Sequence, residues 1–220
     1  TAGRFAKHSK TQIKEEEGKV TLTFVFLLPR PLETEAEVEY QVETGGRIRV
    51  KAVYHGRQGL PCLPAFGMEW KCKRDTRWFR YYGYGPEENY RDRREGARLG
   101  VFAGSADGNL SPYLRPQECG NRTGVRWLEL AGREGAGIRF SAADAPFESS
   151  VLPHYTLELE TASHQEELPI PHYTWLRILA GQMGVGGDDS WGAPVHSQYL
   201  LSSEKDWKTE FVIEQKGIHN

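Results

Sequence analysis

The run AEVEYQVE, Ala36 to Glu43, alternates without a break. Successive side chains of an extended strand point to opposite faces. Ala36, Val38, Tyr40 and Val42 therefore share one face, and Glu37, Glu39, Gln41 and Glu43 the other. After Thr44-Gly45-Gly46 comes RIRVKAVY, with Ile48, Val50, Ala52 and Tyr54 on one face and Arg47, Arg49 and Lys51 on the other. Two alternating runs around a glycine turn predict a hairpin whose outer face sets an acidic strand against a basic one. The charged rows could be a binding patch, but cross-strand ion pairs on a solvated face are the commoner use of such rows.

The same pattern returns in KVTLTFVF, GVRWLELAG, AGIRFSAA, YTLELETA and DWKTEFVIEQ, separated by Gly, Pro, Asn and Asp clusters. Val125–Leu130 and Ile138–Phe140 flank AGREGAG, a second hairpin signal. No stretch of about 12 residues carries helical periodicity; the best short candidate is TASHQEEL, Thr161 to Leu168, with a capping hydroxyl before acidic residues. Many strands with frequent turns predict an all-β fold, a sandwich or a barrel. The 220 residues show no linker and no internal repeat, so a single domain over 1–220 is expected.

The formal net charge is −2 and the isoelectric point about 6.4, which gives no reason to expect a nucleic acid or an anionic membrane as partner. No apolar run approaches the roughly 20 residues of a spanning helix. The first residues, TAGRFAKHSKTQIKEEEGK, lack a signal-type apolar core and an initiator Met. A cytoplasmic location is the expectation, with periplasmic or secreted locations left open. Cys62, Cys72 and Cys119 match no zinc spacing and read as free buried thiols, so no metal site is expected. Aromatic residues make up 11% of the chain, including six Trp, which suits both a sheet core and sugar binding.

Nucleophile elbows, phosphate loops and dinucleotide fingerprints are missing, and none of the seven histidines pairs with Ser or Cys at a recognisable spacing. No catalytic residue is assigned. Asp188-Asp189 and Glu87-Glu88 could be catalytic carboxylates or calcium ligands, but adjacent strand residues face opposite ways, and Asx side chains after Gly-Gly more often fix loops. The sharpest feature is GVGGDDSW, Gly184 to Trp191. Its glycines allow tight turning, and Asp188, Asp189 and Ser190 can lock the turn. Such a loop would present Trp191 in one orientation, as a platform for a ligand or as a plug for the core; both readings stand on sequence alone.

Three segments resemble one family. GQMGVGGDDSWGAPVHSQY (181–199) and RYYGYGPEENYRDRREGARLGVF (80–102) resemble signatures of the β-galactosidases of glycoside hydrolase family 2. The second carries the pattern Gly-Pro-x-Glu-x-Tyr-x-Asp-Arg at Gly85, Pro86, Glu88, Tyr90, Asp92 and Arg93. SPYLRPQECGNRTGVRW (111–127) resembles the Pro-Gln-Glu-x-Gly-Asn-Arg element between them. The resemblance implies a large antiparallel β-sandwich, a supersandwich similar to galactose mutarotase, that closes one side of a sugar pocket floored by a separate barrel. A retaining glycosidase needs two carboxyl groups about 5–5.5 Å apart, and the resemblance puts both in the barrel, so this chain alone should be inactive.

By the same resemblance Trp191 contacts the aglycone of a galactoside, held by Asp188, Asp189 and Ser190. Pro86, Glu88, Asp92 and Arg93, with Glu118, Asn121 and Arg122, read as fold and domain-packing elements, an Arg-Asp pair fixing a loop through charge-assisted bonds. The resemblance implies no cofactor in this chain, Mg2+ and Na+ held in other domains, the remaining domains or a large subunit as partner, and a homo-oligomer of the whole enzyme. Two positions depart from the pattern: Leu179 stands where an acidic residue is common, and Cys119 where the family varies. The family's domain is expected to begin upstream of Thr1. A stand-alone carbohydrate-binding module and a mutarotase-like enzyme are the rival readings.

Overall fold

In the computed structural model the described residues are 2–132, 137–189 and 191–216. Their strands are β1 (Lys7–Glu16), β2 (Lys19–Leu27), β3 (Glu35–Glu43), β4 (Ile48–Tyr54), β5 (Ala65–Lys73), β6 (Trp78–Gly85), β7 (Arg98–Ser105), β8 (Arg122–Val125), β9 (Trp127–Ala131), β10 (Gly137–Ala142), β11 (Phe147–Leu152), β12 (Tyr173–Gln182) and β13 (Trp207–Lys216). Every pairing between them is antiparallel. They form a nine-stranded sheet, β1-β2-β3-β4-β13-β10-β9-β6-β7, and a four-stranded sheet, β5-β12-β11-β8. The expected all-β sandwich is what the chain adopts.

The main core lies between the sheets. Val50, Phe79, Tyr81, Leu128, Leu130, Phe140 and Phe211 from the larger sheet meet Val125, Phe147, Val151, Leu176 and Ile178 from the smaller. Trp70 stands 5.5 Å from Phe140 and 5.7 Å from Phe211, ring centre to ring centre. Fully buried side chains of this size each contribute about 1.5–3 kcal/mol by leaving water. The alternation in the first hairpin did its work: Val50, Ala52 and Tyr54 are buried.

The structure corrects the sequence reading in four places. The basic row of β4 finds its carboxylates on β13 rather than β3: Arg49 Nη1 donates to Glu210 at 2.5 Å, and Arg47 lies 3.4 Å from Glu214. Tyr155–Ala162, read as a strand, holds the helix α1 (Thr156–Thr161). There Glu158 reaches back to accept the Tyr155 N–H at 2.9 Å, closing the first turn, while Leu159 alone is buried, against Cys119 and Leu152. Thr161–Leu168, read as a short helix, forms only a 3-10 turn at Gln165–Glu167. Glu167 folds back onto the Ser163 N–H, and Leu168 turns away to pack beside Leu159. Finally, GVRWLELAG is not one strand. It breaks at Arg126, where Gly124 has φ +61° and the Arg126 side chain caps the Gly124 carbonyl at 2.5 Å, and its halves join different sheets.

Of the three free cysteines only Cys119 is buried; Cys72 is half-buried and Cys62 exposed, so the expectation of buried thiols holds for one and fails for Cys62. The AGREGAG turn links the paired β9 and β10, with its centre outside the described residues. Among the described residues no helix is long and apolar enough to cross a membrane.

Candidate functional site

β12 ends at Gln182, and the chain then runs through Met183 into the glycine-rich loop. Main-chain bonds tie its root: the Met183 N–H donates to Pro64 O and the Gly184 N–H to Tyr199 O, both at 2.9 Å. Asp92, on the connection between β6 and β7, closes over it. Its Oδ2 accepts the N–H groups of Val185 and Gly186, each at 2.8 Å. Glycine is required at two points for space. A Cβ at Gly184 would lie 2.6 Å from Asp92 Oδ2, and one at Gly187 would lie 2.0 Å from the Ala193 carbonyl oxygen.

The tip is held by its own aspartates. Asp189 Oδ1 accepts the N–H groups of Trp191 at 2.8 Å and Ala193 at 3.2 Å, and Asp188 Oδ1 meets His196 Nε2 at 2.7 Å. Ser190 lies outside the described residues. Trp191 is 93% exposed, so it is not a plug in the core of this chain. The surface hollows at Arg74–Trp78 and at Gly45–Arg47 with Glu214 do not include the loop.

The other two motifs gather at the foot of this loop. Pro86 follows a cis peptide bond. Glu88 accepts the Gly120 N–H at 2.7 Å, the Ser111 hydroxyl at 2.8 Å, Arg93 Nη2 at 2.7 Å and the Tyr113 hydroxyl. Burial works against its charge, but the bonds from Tyr113, Gly120 and Ser111 outweigh it and hold the Glu88 carboxyl below its usual value. The ion pair of this motif is thus Arg93 with Glu88. The Arg-Asp pair expected to fix the loop does not form, because Asp92 is committed to main-chain N–H groups instead.

Asn121 Nδ2 donates to Asn89 O at 3.1 Å and to Glu148 Oε2 at 3.0 Å. Arg122 spans Tyr81 Oη at 2.9 Å, Asn121 O at 3.0 Å and Asn109 Oδ1 at 2.9 Å. Glu118 forms a two-pronged pair with Arg177, whose Nε also donates to Ser150 Oγ at 2.8 Å. Arg91 lies 3.5 Å from Glu148, and a Cβ on Gly181 would come within 2.6 Å of Arg91 Nη2. Burial pushes the Glu148 carboxyl up, against the pull of Asn121 and Arg91. Burial likewise pushes the Cys119 thiol up to about 11. Leu179, opposite Glu148 in the ladder, is a buried apolar side chain.

All three motifs therefore meet in one region, with Arg91 and Asp92 as the joints. Among the members the sequence reading missed are Asn89, Arg91, Asn109, Glu148 and Arg177. Asn89 lay inside a motif already singled out, and its side chain ties Thr123 N and Oγ1 at 2.9 and 2.5 Å to the Tyr84 and Glu87 carbonyls. Glu148 gave no pattern signal, because β11 is buried on both faces. Among the described residues no group of three or more His, Cys, Asp or Glu is placed to hold a metal ion.

The model of the family described as beta galactosidase small chain matches residues 2–213. The chain belongs to this family. A β-galactosidase of Streptococcus thermophilus is 45% identical over 97% of this chain and 21% of its own length. One from Halalkalibacterium halodurans is 42% identical over 92% of this chain and 20% of its own. A β-galactosidase small subunit of Latilactobacillus sakei is 35% identical over 91% of this chain and 65% of its own. The family member described here thus spans about a fifth of the long relatives and about two thirds of the separate subunit. A galactose mutarotase related enzyme of Lactobacillus acidophilus is similar in structure at a TM-score of 0.40, with 10% identity, over 95% of this chain and 72% of that one, a likeness too distant to carry an argument.

Proposed function

We propose that the chain is the part of a retaining β-galactosidase that flanks the sugar pocket and offers Trp191 to the aglycone, while the two catalytic carboxyl groups belong to the rest of the enzyme. The observation that carries this reading is the contrast within one loop: a root pinned by Asp92 and a tip that leaves Trp191 93% exposed. Holding a large apolar ring in water yields nothing to this chain; it gains only against a ligand or another polypeptide. The flat face of a sugar ring suits an indole, and Asp188 and Asp189 beside it can accept from sugar hydroxyls. The galactose ring itself would be held by the remaining polypeptide, which also supplies any metal ions.

The test is Trp191→Ala in the complete enzyme, with lactose and with a galactoside of small aglycone. Stacking worth about 1–3 kcal/mol predicts that kcat/KM for lactose falls roughly 5- to 150-fold, with a smaller loss on the small aglycone and an unchanged melting temperature. Equal losses on both substrates together with a lower melting temperature would mean that Trp191 serves packing between domains. The 220-residue chain by itself is expected to show no turnover of a chromogenic galactoside; turnover would point to the mutarotase-like or another self-sufficient reading.

A further inference from the structure

The glycine-rich loop has two arms, an outgoing one over 184–188 and a returning one over 193–199, and the contacts between them change in kind. At the root the Gly184 N–H donates to Tyr199 O at 2.9 Å, and a Cβ on Gly184 would lie 2.9 Å from Val195 Cγ1. Further out Gly187 runs so close to Ala193 that a Cβ there would fall 2.0 Å from the Ala193 carbonyl oxygen. These are main-chain approaches. One hydrogen bond between side chains joins the arms among the described residues: Asp188 Oδ1 meets His196 Nε2 at 2.7 Å.

His196 is itself tied to the root. It precedes the 3-10 turn Ser197–Tyr199, its carbonyl accepts the Tyr199 N–H at 2.9 Å, and its ring stands 6.5 Å from that of Tyr199. On the other side Asp188 is followed by Asp189, which holds the N–H groups of Trp191 and Ala193. The contacts thus lead from the root through Tyr199, His196, Asp188 and Asp189 to Trp191. The side chains of Asp188 and His196 are 79% and 52% exposed, and pairs so exposed contribute little to folding. Their effect is local. Gly186 and Gly187 leave the outgoing arm free to turn just before Asp188, and the imidazole fixes where that turn ends.

We infer that His196 is a positioning residue for the aglycone: by holding Asp188 across the neck of the loop, it keeps the Trp191 indole in the orientation that receives the sugar. The inference rests on the role proposed for Trp191. It gives His196 no contact with the sugar; the imidazole acts through Asp188. Removing an exposed pair of this kind shifts a local order–disorder ratio by about two- to fivefold. Affinity that depends on the ordered form falls by no more than that factor. The signature is a modest rise in KM, concentrated on substrates that reach Trp191, with folding untouched.

Two measurements on the complete enzyme test it. In the first, His196→Ala is expected to raise KM for lactose about two- to fivefold, with a smaller change for a small aglycone and the same melting temperature. His196→Gln, whose amide N–H can take the place of Nε2, is expected to recover most of the loss. Equal losses from both variants, or equal losses on both substrates, would overturn the inference. In the second, the enzyme carries fluorotryptophan, and the fluorine resonance of Trp191 is assigned by its disappearance in Trp191→Phe. That resonance is expected to shift or broaden in His196→Ala and to return in His196→Gln. A raised KM with an unmoved resonance would overturn the inference in favour of direct contact between His196 and the sugar. A moved resonance with an unchanged KM overturns it where Trp191→Ala does weaken lactose binding; where Trp191→Ala spares lactose, the aglycone reading itself has failed.

Discussion

The polar web around Asn89 and Asn121 and the loop that ends in Trp191 touch through Asp92, yet they are built on opposite terms. In the web, side chains that water would otherwise satisfy are buried, and most of their donors and acceptors, though not Asn121 Oδ1 or Arg91 Nε, are matched inside the chain: Asn121 and Asn89 are 0% and 1% exposed. In the loop, matching stops at the main chain, and the largest side chain is left in solvent. The first arrangement stakes folding on each bond, because an unmatched buried polar group costs about 1–3 kcal/mol. The second stakes almost nothing on its tip. Substitutions should therefore separate into those that lower stability and those that change binding alone.

The sharpest break in that comparison is Glu118→Ala. It leaves the guanidinium of Arg177, itself 8% exposed, without its carboxylate. Stability to urea should drop by about 3 kcal/mol, as for other buried pairs deprived of one partner; a drop well under 1 kcal/mol would show that the web tolerates loss. Asp92→Ala comes next, because Asp92 belongs to both regions. Losing the acceptor for Val185 and Gly186 should cost about 1–2 kcal/mol and, in the complete enzyme, raise KM for lactose more than for a small aglycone. Asp92→Asn, which keeps one oxygen, should recover part of both.

Two glutamates of the web should respond to acid in opposite directions. Glu88 is held below its usual value, so its contribution is in place above the unfolded carboxyl value of about 4.3 and fades as pH falls through the lower folded value. Glu148 is held above it, so stability declines as pH rises from about 4.3 through the raised value. Urea midpoints measured across pH should thus show a shallower acid limb in Glu88→Gln and a shallower decline in Glu148→Gln, with the carboxyls shifted in the same directions elsewhere, such as Glu129 and Glu69, keeping the remainder. The smallest effect belongs to the tip. Asp188→Asn weakens only an exposed contact to His196 and should leave the melting temperature where it was.

What could be read from the residues followed how each region is built. Strands with one wet face, such as β3 and β4, advertise themselves by alternation, and the three motifs announce a shared site. β11 has no wet face, so its Phe147-Glu148-Ser149-Ser150 run carries no period at all. α1 misleads in the other direction: TLELET alternates like a strand, but only Leu159 meets a core, and Glu158 closes a helical turn that alternation cannot reveal. Partner choice within the motifs was also hidden. Arg93 had Asp92 as its neighbour in sequence, and took Glu88, because the fold spends Asp92 on main-chain groups 93 and 94 residues away.

The break at Arg126 bears on how the domain can move. β8 belongs to the smaller sheet and β9, one residue later, to the larger. A chain that crosses between layers in so short a span acts as a stitch: the two sheets cannot glide past each other in the manner of shear motions without tearing ladder bonds at Val125 or Trp127. Any larger motion of the domain must then fall to the connections at the rim, and the sandwich beneath them moves as a single stiff plate.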